Sequence, residues 1–254
     1  MKKENGVRLD NLNIIVTDIC DRACKMCVNQ GFVNTQKRFM NEEVFKRGII
    51  WAKNNGKYGI KLNGGEPTMH PSINEFASFA KAYGLGVYLF SNYSRLEIIR
   101  RMGESGSLDR IIISNYDQSG LPTQKEFKTK FSLSTLLWNG RFRTKNDFDR
   151  FIEDKRSQFD KIFFETLRPV TQWAQDNLII DWLEEIITET SHENIDLLDA
   201  NNSQKLKIEY RGCEIKINTK ERASYQRHNL NLDGEIHSGF EWQHDRTVKP
   251  IEIV

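Results

Sequence analysis

Short apolar runs alternate with helix-patterned segments along most of this chain, and that alternation restricts its fold more than any other feature. The runs lie at residues 12–16, 60–62, 87–90, 110–115, within 131–138, and at 162–166. Each has the length and β-branched or aromatic content of a buried strand. Between them, apolar residues recur at three- and four-residue spacing. Val44, Phe45, Ile49 and Ala52 follow Asn41 as an N-cap. Ile73, Phe76, Ala77, Ala80 and Tyr83 form a second face, and Ser94-x-x-Glu97 reads as a capping box opening a third helix. Leu178, Ile179, Trp182, Leu183, Ile186 and Ile187 make a later one. Repeated β-α units imply a parallel sheet curving into a barrel or part of one. At 254 residues, 38% hydrophobic and with five prolines, the chain can bury one sizeable core. It has no sequence repeat and no low-complexity tract.

The first apolar run empties into Cys20-x-x-x-Cys24-x-x-Cys27, a strand-end position where parallel α/β folds carry their chemistry. Three thiolates leave one iron of a four-iron, four-sulfur cube without a protein ligand, and an open iron can bind a small molecule. Structural zinc wants four ligands, usually as two separated pairs. No second C-x-x-C follows, and His70 and Cys213 stand outside finger spacing. A disulfide framework is out of place in a large chain with four cysteines. Spacing alone leaves an open cluster, zinc or no metal.

The second run ends in Gly64-Gly65-Glu66-Pro67. Two glycines let a ligand approach bare backbone, and a neighbouring carboxylate can accept from an ammonium group. Pro67 stiffens the exit, and Pro71 stands where a helix could begin. In isolation these residues would be a turn. At the strand end next after a cysteine loop they read as part of a site.

With both motifs in hand, the chain resembles the radical S-adenosylmethionine (radical SAM) superfamily. The resemblance rests on Cys20, Cys24 and Cys27, and on Gly64, Gly65, Glu66 and Pro67 with Thr68, Met69, His70 and Pro71 behind them. It implies an α/β fold, a partial (β/α)6 TIM-like barrel, with the three cysteines as the catalytic cluster's ligands. It implies that Gly64 to Glu66 meet the methionine amino group of S-adenosylmethionine, whose amino and carboxylate groups the open iron takes. An electron supplied by a reductase such as flavodoxin or ferredoxin would cleave the sulfonium to methionine and a 5′-deoxyadenosyl radical, which abstracts hydrogen from a substrate carbon. The family usually has an aromatic residue before the third cysteine; here Met26 stands there, and its thioether can still pack against adenine. Polar residues at later strand ends commonly reach ribose and carboxylate in this family, which carries over to Ser91, Asn92, Ser114 and Asn115. Without the resemblance, all four would merely satisfy loop backbone.

Beyond the barrel, assigned to residues 1–200, residues 201–254 read as a β-rich extension packing on it. Alternation around Arg211-Gly212 marks a hairpin, and Asp233-Gly234 a further turn. The phrase from Leu232 to His237 resembles the start of a cysteine-rich extension in some relatives, but brings no cysteines. A second cluster is therefore not expected, and no cobalamin domain fits. Cys213 reads as a small strand hydrophobe, with a hydrogen donor or methyl carrier as the sharper alternatives. Arg143 reads as a solvated arginine or a carboxylate clamp, and Glu165 as a substrate contact or a structural partner. Residues 122–146 mix Lys125, Lys128, Lys130, Arg141, Arg143 and Lys145 with Phe127, Phe131, Trp138 and Phe142. That mixture suits a nucleotide or nucleic acid, or else a core with a solvated face. Residues 174–200, acidic and free of Lys and Arg, read as the wet side of an amphipathic helix.

The net charge of +2 names no partner. No apolar stretch reaches membrane-span length, the first residues lack a secretion signal, and cysteines committed to iron point to a reducing cytoplasm. Candidate substrates are a modified nucleotide or nucleic-acid base, a peptide or a small metabolite. The competing classes are a non-catalytic iron–sulfur or zinc sensor or binding module, and a glycyl-radical activase.

Overall fold

The computed structural model describes residues 3–4, 7–8, 11–29, 31–114, 123–168, 171–178, 180–190, 195–199, 204–218, 228–238 and 249–254. A two-stranded ladder, β1 (Lys3–Glu4) and β2 (Val7–Arg8), precedes the main sheet. Six strands then follow in chain order: β3 (Asn11–Thr17), β4 (Gly59–Gly64), β5 (Gly86–Ser91), β6 (Arg110–Ser114), β7 (Lys130–Leu137) and β8 (Lys161–Thr166). Each pairs in parallel with the next. All six expected strands are present, in the parallel order that β-α repetition demands.

Burial along these strands separates two faces. In β4, Ile60 and Leu62 are fully buried, while Lys61 and Asn63 are half-buried. In β5, Val87 and Leu89 are buried and Tyr88 and Phe90 half-buried. Successive side chains point to opposite sides of a strand, so the apolar set packs under the helices and the intervening set lines the inner face. Helices α1 (Glu42–Asn54) and α2 (Ile73–Ala82) seal that apolar side, their Phe45 and Phe76 rings stacked 4.0 Å apart. Asn41 caps α1 as expected, accepting from the Glu43 N–H at 2.8 Å.

Three local expectations are not met. Helix α3 (Leu96–Glu104) has no Ser94 capping box; its flanking Arg95 makes no side-chain cap. Ser94 instead donates its N–H to the Asn92 side chain at 2.9 Å, which turns the chain before the helix can start. Pro71 opens no helix either, since α2 starts at Ile73, whereas Pro67 leads a 3-10 turn, Pro67–Met69. The long acidic helix is two short ones, α5 (Gln172–Asp176) and α6 (Leu183–Glu189), after α4 (Lys145–Arg156). Between them the Asn177 carbonyl accepts from Asn139, and the Trp182 indole donates to the Phe142 carbonyl at 3.0 Å. Those ties stop Leu178 and Trp182 from sharing one helix; Ile179 lies outside the described residues.

Later strands lengthen the sheet at both ends. β9 (Ile195–Asp199), β10 (Gln204–Tyr210) and β11 (Cys213–Asn218) add beyond β8, with β11 parallel to it. β12 (His228–Leu230), β13 (Glu235–Ser238) and β14 (Glu252–Ile253) add beyond β3, with β12 parallel to it. Both edges of the parallel array are thus paired, and the outer edges of the sheet become β9 and β14. Cys213 begins β11, buried, with its thiol pushed up to about 11 by burial. It behaves as a small hydrophobe. Phe127, Phe131 and Phe142 of the basic segment are also core residues, while Lys125, Lys128 and Lys130 are exposed. No helix among the described residues is long and apolar enough to cross a membrane.

Candidate functional site

The cysteine loop is pinned from below by groups that carry no chemistry of their own. Past β3, the buried Asp18 carboxylate accepts three successive backbone N–H groups, from Gln36, Lys37 and Arg38, at 2.8, 3.0 and 2.6 Å. This folds residues 34–38 back over the strand end. Asn34, in the left-handed region (φ 60°) that asparagine tolerates, then grips the Cys20 backbone twice. Its Oδ1 accepts from the Cys20 N–H at 3.0 Å and its Nδ2 donates to the Cys20 carbonyl at 2.9 Å. Cys27 donates its N–H to the Cys24 carbonyl at 3.1 Å, closing a tight turn between those ligands.

The two glycines have a reason that differs from the one expected. A Cβ on Gly64 would stand 2.2 Å from the Thr17 carbonyl oxygen, and one on Gly65 only 2.1 Å from that of Ile19. Gly64 also has φ 140°. The closest neighbour of the bare backbone is therefore the chain's own exit from β3, which Gly65 and Glu66 bind through N–H bonds to Thr17 and Ile19 at 2.8 and 2.7 Å. The glycines let β4 grip the stem of the cysteine loop.

Glu66 is fully buried. One carboxylate oxygen accepts from the Thr68 N–H (3.1 Å), the Thr68 hydroxyl (2.6 Å) and the Ser91 hydroxyl (2.7 Å); the other accepts from the Asn92 N–H at 2.6 Å. Burial pushes its carboxyl above the usual range, against these donors, which favour the ionised form. The Asn92 side chain continues the network. Its Nδ2 donates to Asp21 at 2.8 Å and reaches the Cys20 sulfur at 3.7 Å. Glu66, Ser91 and Asn92 thus form a clasp joining the ends of β4 and β5 to the first cysteine.

Cys20, Cys24, Met26, Cys27, Gly64, Gly65, Glu66, Ser91, Asn92 and Ser114 all border one cavity of about 250 Å³ at the carboxyl ends of the strands. Pro67 is buried behind it, and Asn115 lies outside the described residues. The cavity also takes in side chains that motif reading passed over: Asn13, Asn29, Lys61, Asn63, Ser134 and Arg168. Strand alternation was the available signal for Lys61, Asn63 and Ser134. Glu165 borders it too, paired with Arg168 at 3.2 Å. Asn63 donates to Asn13 at 2.6 Å, and Asn13 donates to the buried Asn229 of β12 at 2.8 Å. Arg143 is not at the cavity; it borders a surface depression with Trp182.

Burial holds the Cys27 thiol at about 11, with the charges of Cys24 and Cys20 pushing the same way, and it also raises Cys20. Thiols in this state must lose protons to bind metal, so loading releases protons. Among the described residues no three His, Cys, Asp or Glu side chains converge as ligands of a single ion. In a cube each thiolate takes a different iron, so its ligands stand further apart. His70 is no fourth ligand: its ring contacts the Met40 carbonyl at 3.1 Å and accepts from the Ser72 N–H at 3.1 Å. The donor set fits three irons of a four-iron cluster and does not fit tetrahedral zinc.

Comparison with known proteins agrees with this geometry. Residues 14–114 match the family model described as the Radical SAM superfamily. A probable GTP 3′,8-cyclase of Pyrococcus horikoshii is 31% identical over 109 residues, covering 43% of this chain and 35% of the relative. One from Methanocaldococcus jannaschii is 30% identical over 118 residues, covering 45% and 39%. The matched part thus spans well under half the length of these relatives. Among solved structures, Streptococcus suis SuiB bound to precursor peptide SuiA aligns with TM-score 0.58 at 15% identity, over 93% of this chain and 65% of SuiB. Native anSMEcpe with bound AdoMet and Cp18Cys peptide aligns with TM-score 0.57 at 13% identity, over 91% and 73%. At such identities the likeness is one of fold. From the strand that feeds the cysteine loop to the fourth strand of the barrel, residues 14–114 are similar to the radical SAM superfamily.

Proposed function

We propose that the chain is a radical SAM enzyme that holds a 4Fe-4S cluster on Cys20, Cys24 and Cys27 and binds S-adenosylmethionine against the Gly64–Gly65 strand end. One observation carries this: the three thiols and the Gly-Gly-Glu strand end border the same cavity. When bound, cluster and S-adenosylmethionine together supply a 5′-deoxyadenosyl radical able to remove hydrogen from a substrate carbon. The chain's part is to bind, orient and shield. The clasp of Glu66, Ser91 and Asn92 fixes the cysteine loop against β4 and β5. Met26 offers a thioether surface for adenine, and Ser114 a hydroxyl on the cavity rim.

The substrate is proposed to be a small nucleotide, entering from the β7–β8 side. Amides of Asn13 and Asn63, the Ser134 hydroxyl, the Lys61 ammonium and the Glu165–Arg168 pair border the cavity. Such a wall suits a heterocycle with donors and acceptors plus an anionic group. The names of the relatives, GTP 3′,8-cyclases, favour the same class. Lys130 begins β7, so the exposed lysines at 125, 128 and 130 sit at the amino end of the barrel, opposite the cavity. That favours a nucleotide over a nucleic acid. A one-electron donor such as a flavodoxin or ferredoxin is required, and free thiols suit a reducing cytoplasm.

The test is anaerobic reconstitution with iron and sulfide, then S-adenosylmethionine and dithionite, with 5′-deoxyadenosine measured by mass spectrometry. Formation in the wild type, its loss in Cys24→Ala and its acceleration by a nucleoside triphosphate are the expected results. A cluster-loaded protein that forms none with any nucleotide or peptide would return the chain to the binding-module class.

A further inference from the structure

One polar atom in the cavity wall is not satisfied by the chain. Asn29, two residues past Cys27, is fixed on two sides. Its carbonyl accepts from Phe32 and Val33, both at 2.8 Å. Its Nδ2 donates to the Gly64 carbonyl at 2.8 Å. That last bond sets the amide's orientation, because a swapped amide would oppose two oxygens. The remaining Oδ1 is buried and takes no donor among the described residues, and Asn29 borders the cavity. A buried amide oxygen ordinarily has a protein, water or ligand donor, so the position calls for an N–H or O–H supplied from the cavity.

We infer that Asn29 Oδ1 accepts a hydrogen bond from the α-amino group of S-adenosylmethionine, making Asn29 a cofactor-binding residue. The inference rests on the proposed function. An acceptor of this kind excludes the carboxylate end of the ligand and leaves the amine, the ribose hydroxyls and the adenine amino group. An α-amino acid chelates an open metal site through its amine and carboxylate, so the amine is the donor held beside the cluster. Asn29 sits there too, two residues past Cys27 and with its amide on Gly64. It therefore links the third cysteine to the Gly-Gly strand end and reads the amine between them.

The test compares cluster-loaded wild type, Asn29→Leu, which keeps volume but has no acceptor, and Asn29→Ala. Iron and sulfide per chain and the melting temperature establish that each variant folds and loads. Equilibrium dialysis then measures Kd for S-adenosylmethionine and for its analogue lacking the α-amino group. The expected result is about a tenfold weaker Kd for S-adenosylmethionine in Asn29→Leu, the size of one good hydrogen bond. The analogue should change less than about threefold, and Asn29→Ala should follow in the same direction. Equal weakening for both ligands, or no change for either, would overturn the inference while leaving the function standing. Wild type that carries cluster but does not bind S-adenosylmethionine would overturn both.

Discussion

The two halves of the cavity are built differently. On the β3–β5 side, nearly every polar group is held by the chain itself. Asp18 takes three N–H groups, Asn34 grips Cys20 from both sides, and Glu66 takes four donors from the 3-10 turn and the end of β5. On the β7–β8 side, Ser134 and Leu136 border the cavity beside the Glu165–Arg168 pair. The first half falls within the radical SAM match at residues 14–114, and the second lies beyond it. A site that must place a cluster and a sulfonium has to be pre-organised, because misplacement of reacting atoms costs rate steeply. A surface that chooses a substrate can depend on a few side chains. Under the proposed function, the first half serves initiation, and the second serves recognition together with Asn13, Lys61 and Asn63 of β3 and β4.

The sharpest way to break this contrast is Gly65→Ala. The added methyl meets the Ile19 carbonyl, backbone that cannot swing away. Overpacking of this kind costs roughly 1–3 kcal/mol, and the displaced stem carries Cys20. Iron per chain after reconstitution should fall to near background; full loading would mean the β3–β4 contact is not what sets the loop. Glu66→Gln comes next. It keeps the shape but turns one oxygen into a donor facing the Asn92 N–H or the Ser91 and Thr68 groups. Leaving such partners unmet costs roughly 1–3 kcal/mol, so denaturant midpoints should drop clearly, with a smaller loss of iron.

Arg168→Ala probes the other half. Iron content and the Kd for S-adenosylmethionine should hold, while the KM for the activating nucleotide rises about tenfold, the worth of one charged hydrogen bond. A fall in iron content instead would erase the division of labour. At neutral pH the smallest effect is expected on β11, which adds to the sheet beyond β8. Cys213 titrates near 11 in the fold against an ordinary 9.0. Its raised value means the stability it contributes is intact below pH 9 and is lost as pH climbs toward 11, by at most about 2–3 kcal/mol. Wild type should therefore lose stability relative to Cys213→Ala across that window in urea melts, and the two should run parallel below it.

Much of this architecture was legible because strands and motifs are local. The six barrel strands read directly from their apolar runs, and the cysteines and Gly-Gly-Glu are contiguous. Helix ends were less legible. Ser94 and Glu97 have the right spacing for a capping box, but Asn92 captures the Ser94 N–H first. The acidic segment has a helical period, yet Trp182 is drawn to the Phe142 carbonyl forty residues away. Within the site, Ser91 and Asn92 stood out by their place at a strand end, but their commitment to Glu66 depends on how β4 and β5 align. Asn29, Asn34 and Asp18 carry no motif at all. Their importance lies in which backbone groups come within reach, and a linear string does not state that.

The pairing of β12 with β3 also has a consequence in time. Leu230 lies beside Ile14, and Asn229 bonds the Asn13 amide that in turn holds Asn63. The outer flank of the first barrel strand therefore has no partner until the ribosome has made the chain past residue 230. Throughout that interval a nascent chain displays an unpaired apolar strand next to unligated cysteines, a state prone to wrong pairing. Cluster insertion before synthesis reaches β12 would load a barrel whose floor amides are still unset. Maturation of this protein should accordingly favour late delivery of iron, after the tail has closed the seam.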